Sequence, residues 1–557
     1  MDYQKLADLL YPNLKHDMNY YLNLYKKRNL SEGAEVVRFA PSPTGFLHIG
    51  HLSQCVINHS LARLTNGVFY MRLEDTDTRR EIKDAGDIAY NTLCYFDLKP
   101  MEGYAGGYNK EIGNYGPYVQ SRRTEIYSAF AKHLVSIGRA FPCFCEVSES
   151  KSDILKRREE ELENSDTIAE KDICRNLSYE EIEQNIKEGK PFGLRLKSEG
   201  DINKTIKICD SIKGHREIRE NNKDIILIKG NGIPVYAFAH LVDDTLMGTT
   251  TVVRGEEWYQ SLAAHLELFD AFGFVPPKYG HTPVISKLDD ETGQKRKLSK
   301  RKDPEANVAF YVEKGYPKTA VVEYLMTLAN SNFEDWRKNN PDLPYTDFPF
   351  SIGNIGSNNP MFDFNKLNDI SKNIIARMSA EEVYDNLCAW AKDFDEEFFE
   401  YINKNRKYVI EVLSIDRGGE KPRKDIKYFS EIKEYFDYMF LPYEKLTINY
   451  FFPKVSAETV TKIMNNYANN FNSKQSKDEW FESVKTLGDS FNFATNNKEY
   501  KLNPDSYLGN TADLCKIIRV CLTGKENTPD LYSICCVLGH DEIVDRVNKL
   551  CKTIKQS

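Results

Sequence analysis

His48 and His51 stand three residues apart with Gly50 between them, in the run Arg38-Phe39-Ala40-Pro41-Ser42-Pro43-Thr44-Gly45-Phe46-Leu47-His48-Ile49-Gly50-His51. They fall at the mouth of a predicted helix that follows a predicted strand. A helix N-terminus offers free N–H groups and partial positive charge, which suit phosphate. Imidazole N–H groups add donors to the same place. Gly50 lets a flat ring or a phosphate approach the backbone closely. The spacing alone also fits a proline-rich turn with two incidental histidines, or half of a zinc site.

Two other groups of residues have chemical potential. Lys295-Arg296-Lys297-Leu298-Ser299-Lys300-Arg301-Lys302 is strongly basic. Such a run is ordinarily a solvated loop, and only its place in the architecture makes a functional case. Cys143 and Cys145, with Cys174 further on, offer thiolates at a spacing that supplies three of four tetrahedral zinc ligands. Three free cysteines is the equal alternative.

The elements that must position these residues are readable. Residues 1–34 read as a helical extension, with Leu6, Leu9, Leu10 and Leu14 near helical spacing. Val36 to Ala40 reads as a strand, broken by Pro41 and Pro43. A helical pattern runs from about Gly50 to Asn66 through Leu52, Val56, Ile57, Leu61 and Leu64. Gly67 ends it, and Val68 to Leu73 reads as the next strand. Strand, helix and strand make a βαβ unit, hence a parallel sheet with ligands expected at the carboxyl ends of its strands. Residues 151–188 are rich in Glu and Lys and read as exposed helices. Phe192–Leu196, Ile225–Ile228 and Pro234–Phe238 read as strands, so the middle of the chain reads as an insertion between two halves of one α/β domain. After about residue 305 the pattern is helical to the end.

Composition sets the bounds. At 557 residues, a prior of about 150 per domain suggests several domains. The net charge of −8 counts only weakly against a nucleic-acid partner, because fields fall off over about 8 Å at physiological salt. No apolar run reaches the roughly 18 residues of a membrane span. The start of the chain lacks the pattern of a secretory signal. Twelve scattered cysteines, including adjacent Cys535 and Cys536, then read as reduced thiols, and the expected location is cytoplasmic.

The wording of the motifs adds a resemblance. His48-Ile49-Gly50-His51 resembles the first signature of class I aminoacyl-tRNA synthetases, and Lys297-Leu298-Ser299-Lys300-Arg301 resembles their second. The run from Arg38 to Gly45, followed by Arg72-Leu73-Glu74-Asp75-Thr76-Asp77, is similar to glutamate–tRNA ligases. Further matches are Gly116-Pro117-Tyr118 with Gln120-Ser121, Tyr236 to Asp244, Val253 to Trp258, Leu522-Thr523-Gly524 and Ser533 to Leu538. The resemblance covers the chain from about residue 35 and is densest in the catalytic half.

That resemblance implies ATP-dependent ligation of L-glutamate to the 3′ end of tRNA(Glu) through glutamyl-adenylate, releasing AMP and pyrophosphate. It implies that His48, His51, Lys297 and Lys300 are catalytic. Gly50, His48, His51, Lys300 and Arg301 would bind ATP, with Mg²⁺ held mostly by ATP oxygens and water. Arg38, Ala40, Ser42, Glu74, Tyr236 and Arg254 would bind glutamate: the arginines take carboxylates, Glu74 the α-amino group, and Tyr236 donates its hydroxyl. His240 departs from the Asn common at that position. For zinc, family members add a His or Tyr to Cys143, Cys145 and Cys174; Asn176 and Glu170 stand at those places here, so no fourth ligand is evident.

The implied fold is α/β. A Rossmann-type parallel-sheet catalytic domain (35–130 and 229–285) carries an inserted acceptor-stem domain (131–228). A connecting domain (286–368) bears the second signature, and an all-α anticodon-binding region (369–557) ends the chain. The family expectation is a monomer that uses no membrane. Competing readings are a non-discriminating enzyme that also charges tRNA(Gln), a glutamine–tRNA ligase, a short class I nucleotidyltransferase or glutamylating relative, and an inactive tRNA-binding paralogue. The motif wording and the large helical region count against the second and third of these. The intact signatures count against the last.

Overall fold

A computed structural model describes the chain except residues 44, 46, 77–81, 83, 108, 146–172, 290, 420–421 and 557. It forms two compact units, one of residues 1–310 and 322–363, the other of residues 311–321 and 364–557.

The first unit begins with helices α1 (Tyr3–Leu10) and α2 (Met18–Leu24), each capped by an aspartate, Asp2 or Asp17, that accepts a backbone N–H. Strand β1 (Val36–Phe39) then leads through α3 (Ile49–Leu64) to β2 (Val68–Met71), which pairs parallel to β1 with Val36 opposite Val68. The helix stops where Asn66 turns left-handed at φ 51°. Gly67 follows because its backbone passes Glu35 closely; a Cβ there would lie 1.9 Å from the Glu35 carbonyl oxygen.

Helix α4 (Ala85–Tyr95) leads to β3 (Glu102–Tyr104), parallel to β2, and β4 (Glu111–Ile112) closes that edge antiparallel. Helix α5 (Thr124–Ser136) supplies Ile126, Phe130 and Leu134 to a core shared with Leu6, Leu10 and Tyr21. The N-terminal extension therefore belongs to the core of this unit. Arg28 fastens it further, with a two-pronged pair to Glu102 at 2.9 Å on each arm.

The inserted segment has its own antiparallel sheets. Strands β5 (Ala140–Cys143), β6 (Gly193–Leu196) and β9 (Ile226–Ile228) pair in that order. Strands β7 (Thr205–Asp210) and β8 (Gly214–Arg219) form a hairpin. Between β5 and β6, α6 (Tyr179–Lys187) starts at a Ser178/Glu181 capping box. The rest of the 151–188 stretch expected to be helical, residues 151–172, lies outside the described residues, as do Glu170 and Asp77.

One expectation is overturned. Pro234–Phe238 is not a strand: only Pro234 bridges to Ile228, and helix α7 (Tyr236–Leu246) begins two residues later. Five apolar residues are too few to separate a strand from a fully buried helix. Over the longer span, Phe238, Ala239, Leu241, Val242 and Leu246 are all buried, and the helical period emerges. Strand β10 (Thr251–Gly255), helix α8 (Leu262–Ala271) and strand β11 (Lys278–Thr282) make the second parallel crossover. The Thr250 N–H donates to Val36 O at 2.9 Å and seats this pair beside β1. A short antiparallel hairpin, β12 (Ser286–Leu288) and β13 (Lys295–Lys297), follows.

The second unit is built of helices, among them Ala380–Phe394, Ala457–Asn470, Lys477–Ser490 and Thr511–Thr523. Capping boxes at Ser379/Glu382, Ser476/Glu479 and Asn510/Asp513 start three of them. Val383, Leu387, Ile402, Ile463, Ile518 and Ile534 are fully buried in one core. Its departures from helical structure among the described residues include a two-residue parallel pairing of Phe493–Ala494 with Gly509–Asn510 and an isolated bridge between Phe452 and Val455.

Candidate active site

His48 caps α3 with its own ring. Its Nδ1 accepts the Gly50 N–H at 3.0 Å, and its backbone oxygen accepts the His51 N–H at 2.8 Å. That fixes the tautomer: Nε2 carries the proton and donates to Leu298 O at 3.3 Å. The two signatures, far apart in the chain, therefore touch. Gly50 relieves crowding at this cap, since a Cβ would sit 3.2 Å from the His48 ring, a tight contact. His51 is exposed as a residue, yet desolvation of its ring together with His48, Lys300 and Lys297 lowers its pKa to about 4. Burial and the same two lysines also lower His48.

The second signature is anchored on both sides of Lys300. Leu298 is buried, and Asp303, also buried, accepts both arms of Arg296 at 2.6 and 2.8 Å and the Ser299 N–H at 2.9 Å. Arg296 is thus committed to structure, which removes one of the six basic side chains of the run from a phosphate-binding patch. Lys297, Lys300 and Arg301 are exposed, and desolvation lowers Lys300.

A second cluster lies where β1, β10 and α7 meet. The Tyr236 hydroxyl sits between Arg38 Nη2 at 3.4 Å and Arg254 Nη1 at 3.5 Å. Both arginines are only 4% exposed, so two buried guanidiniums converge on one polar oxygen. The Tyr236 ring packs on Trp258 with centroids 4.1 Å apart and on His240 at 5.4 Å. Glu74 reaches the group through Arg72 Nη2 at 3.0 Å; burial raises its pKa while Arg72 and Arg38 pull it down. Ala40 and Ser42 lie on the turn after β1, half-buried and exposed respectively.

The sequence reading missed what stands behind this cluster. Asp244 binds Arg72 at 2.6 Å and Arg38 at 3.3 Å, and Asp243 binds Arg123 at 2.7 Å. Gln120 and Tyr127 also donate to Asp243, each at 2.9 Å. Burial alone would raise Asp244, but Arg72, Arg38 and His240 hold it well below the usual carboxylate range. The available signal was two adjacent aspartates in an otherwise apolar helix. His240 is part of this set: Nδ1 lies 2.5 Å from Asp244, and Nε2 pairs with the Tyr279 hydroxyl at 3.0 Å. The other missed residues are His265 and His281, which flank Arg254, and Asp210, which pairs with His281.

Cys143, Cys145 and Cys174 come together, with all three sulfurs within 4.8 Å of one another and Cys145 and Cys174 at 3.3 Å. No fourth His, Cys, Asp or Glu joins them among the described residues.

A parallel strand–helix–strand crossover, two touching signatures and a buried arginine pair define a class I tRNA synthetase catalytic unit. The family model for the catalytic domain of class I tRNA synthetases (E and Q) matches residues 35–336, and that for an anticodon binding domain matches residues 508–551. The glutamate–tRNA ligase of Acetivibrio thermocellus is 43% identical over 99% of this chain and 100% of its own. That of Clostridium perfringens strain 13 is 42% identical over 98% of this chain and 100% of its own. A crystal structure of a glutamate tRNA ligase from Elizabethkingia meningosepticum, in complex with its amino acid, has the same fold: TM-score 0.74, 23% identity, 93% of this chain and 99% of that one. The chain belongs to the glutamate–tRNA ligase family.

Proposed function

We propose that this chain activates L-glutamate with ATP and esterifies it to the 3′ end of tRNA(Glu). The observation that carries the reading is the convergence of Arg38 and Arg254 on Tyr236 in the unit where His48 meets the Lys297–Arg301 loop. The glutamate carboxylates pair with the two arginines, whose planar forks suit them. Tyr236 donates its hydroxyl. Glu74 takes the α-amino group, and Ala40 and Ser42 line the rim. One carboxylate oxygen attacks the α-phosphate of ATP and pyrophosphate leaves. Positioning and charge carry such a step.

His48, His51 and Gly50 receive the phosphates at the α3 N-terminus. His48 has both ring nitrogens engaged, so it contributes a donor only when Leu298 O gives up Nε2–H. Lys297, Lys300 and Arg301 neutralise the departing pyrophosphate. Mg²⁺ supplies further neutralisation, bound chiefly by ATP itself. The inserted β5–β9 segment takes the acceptor stem, and the second unit takes the anticodon. The three thiols fit a zinc ion as donors but supply one ligand too few. We therefore assign them no step. The protein acts as a monomer.

The test is ATP-dependent charging of glutamate onto purified tRNA(Glu) and tRNA(Gln) transcripts, assayed separately. Charging of tRNA(Glu) alone is expected. Charging of both would make the enzyme non-discriminating, and charging of neither would overturn the reading.

A further inference from the structure

Arg254 differs from the other buried arginines near the pocket in what holds it. Its Nε donates to His281 Nε2 at 3.0 Å, and its Nη1 donates to His265 Nδ1 at 3.0 Å. Nη2 is buried and has no hydrogen-bond partner. His281 lies directly across from Arg254 in the parallel register of β10 and β11, while His265 comes from α8. Both rings are essentially inaccessible.

An imidazole nitrogen that accepts from a guanidinium carries no proton. His281 must then hold its proton on Nδ1, and Nδ1 faces Asp210 Oδ2 at 2.5 Å. Asp210 is itself fixed. Its Oδ1 accepts backbone N–H groups of Ile212 at 2.9 Å, Lys213 at 2.8 Å and His281 at 3.2 Å. It stands at the end of β7, in the inserted segment. His265 must carry its proton on Nε2. Burial is the largest cause and lowers both rings; neighbouring positive charge adds to it, and at His281 the hydrogen bond to Asp210 pulls the other way without reversing the shift, so both are neutral near pH 7.

We propose that His265 and His281 are positioning residues that aim Arg254 at a substrate carboxylate while leaving its charge uncompensated, with Asp210 fixing the His281 tautomer. The inference rests on the reading of this pocket as the glutamate site and extends it. A carboxylate in direct contact would orient Arg254 equally well but would cancel its charge. Two neutral acceptors orient it and leave the whole cation for an anionic ligand, with Nη2 as the free donor. Selection of a carboxylate over a carboxamide follows from the same arrangement, because a carboxamide oxygen can accept from the guanidinium but brings no opposite charge to pair with it.

The test uses isosteres that keep one ring nitrogen's position. Glutamine places its terminal oxygen or nitrogen near Nε2 of a histidine, and asparagine places its own near Nδ1. His281 serves Arg254 through Nε2, and His265 serves it through Nδ1. His281→Asn is therefore expected to raise the glutamate KM roughly tenfold more than His281→Gln, and His265→Gln roughly tenfold more than His265→Asn, from the loss of one hydrogen bond to a charged group. The ATP KM should stay level across all four. A purely structural role for His281, anchoring Asp210, predicts the reverse order at that position.

The same order at both positions, equal effects of the two isosteres, or parallel rises in both Michaelis constants would overturn the proposal. If a His281 variant does not fold, the His265 pair tests the same rule away from the hairpin. Arg254→Gln separates the two readings. No change in its glutamate KM removes the glutamate pocket itself; a rise in that KM without the mirrored histidine order removes only the cradle.

Discussion

Two sets of buried arginines lie in one unit and are held by opposite chemistry. Behind the pocket, Arg72 and Arg123 end on Asp244, Asp243 and Glu74, with contacts from 2.6 to 3.0 Å. Inside it, Arg254 ends on two neutral imidazoles instead of carboxylates; a buried nitrogen without a hydrogen-bond partner is common to all three, Nη2 in Arg254 and Arg123 and Nε in Arg72. The first set is closed: each cation has its anion, and the network spends its charge on holding α7 against β2 and α5. On the proposed reading the second set is open and has charge left for a ligand. Arg38 bridges the two, with Asp244 on one side and Tyr236 on the other.

The comparison predicts where substitutions hurt the fold and where they hurt the reaction. The largest effect belongs to the closed set. Asp244→Ala strips Arg72 and Arg38 of a partner at full burial, which typically costs about 3–5 kcal/mol. Urea unfolding should register that loss. A stability within error of wild type would mean that Asp243 and Glu74 suffice, and that the closed network is redundant.

Next comes the signature loop, which is held structurally by Arg296 and Asp303 but presents Lys300 to solvent. Lys300→Ala should leave stability within about 0.5 kcal/mol. The maximal rate of adenylate formation should fall on the order of 10²–10³-fold, or roughly 2.7–4 kcal/mol, because charge grows on pyrophosphate as it leaves. Single-turnover adenylate formation, with ATP, glutamate and tRNA saturating, decides it; a wild-type rate would reduce Lys300 to a solvated loop residue.

Arg254→Gln probes the open set. It removes a charge-assisted pairing worth roughly 1.5–3 kcal/mol. The glutamate KM should rise while the ATP KM stays level and the melting temperature changes far less than in Asp244→Ala. A large stability loss with unchanged glutamate KM would place Arg254 in the closed class and erase the contrast.

What the sequence revealed divides along the same line. The strand–helix–strand order around residues 36–71 was legible because hydrophobic period and Gly/Pro punctuation are local signals. His48, Lys300, Arg38 and Arg254 were nameable because motif wording carries them. Their partners were not. His265, His281 and Asp210 come from a helix, a strand and an inserted hairpin, and only the fold brings them to Arg254. The contact of His48 with Leu298 is equally non-local. The misread strand at Pro234–Phe238 failed for another reason: a helix buried all round looks like a strand in a short window.

The smallest effect tests the residue that touches both sets. His240 stacks on Tyr236 in the pocket and meets Asp244 in the closed network. Burial lowers its pKa from 6.5 to about 4, with Asp244 pulling the other way. A histidine depressed in the folded state stabilises the fold above its unfolded pKa. As pH falls below 6.5 the unfolded chain binds a proton that the native ring refuses until about 4, so stability drops across that window. By pH 5 this single ring accounts for a loss of roughly 2 kcal/mol. His240→Asn keeps a donor near Asp244 and gives up the acceptor for Tyr279, at a cost of about 0.5–1.5 kcal/mol at neutral pH. The variant should therefore start below wild type at pH 7.5 and overtake it by pH 5. Its slope should be shallower but not flat, because His51, His265 and His281 are depressed in the same direction. Urea unfolding of both proteins at pH 7.5, 6 and 5 measures the two slopes. Parallel slopes would show that His240 takes up its proton equally in both states, and that burial beside Asp244 does not hold the ring neutral.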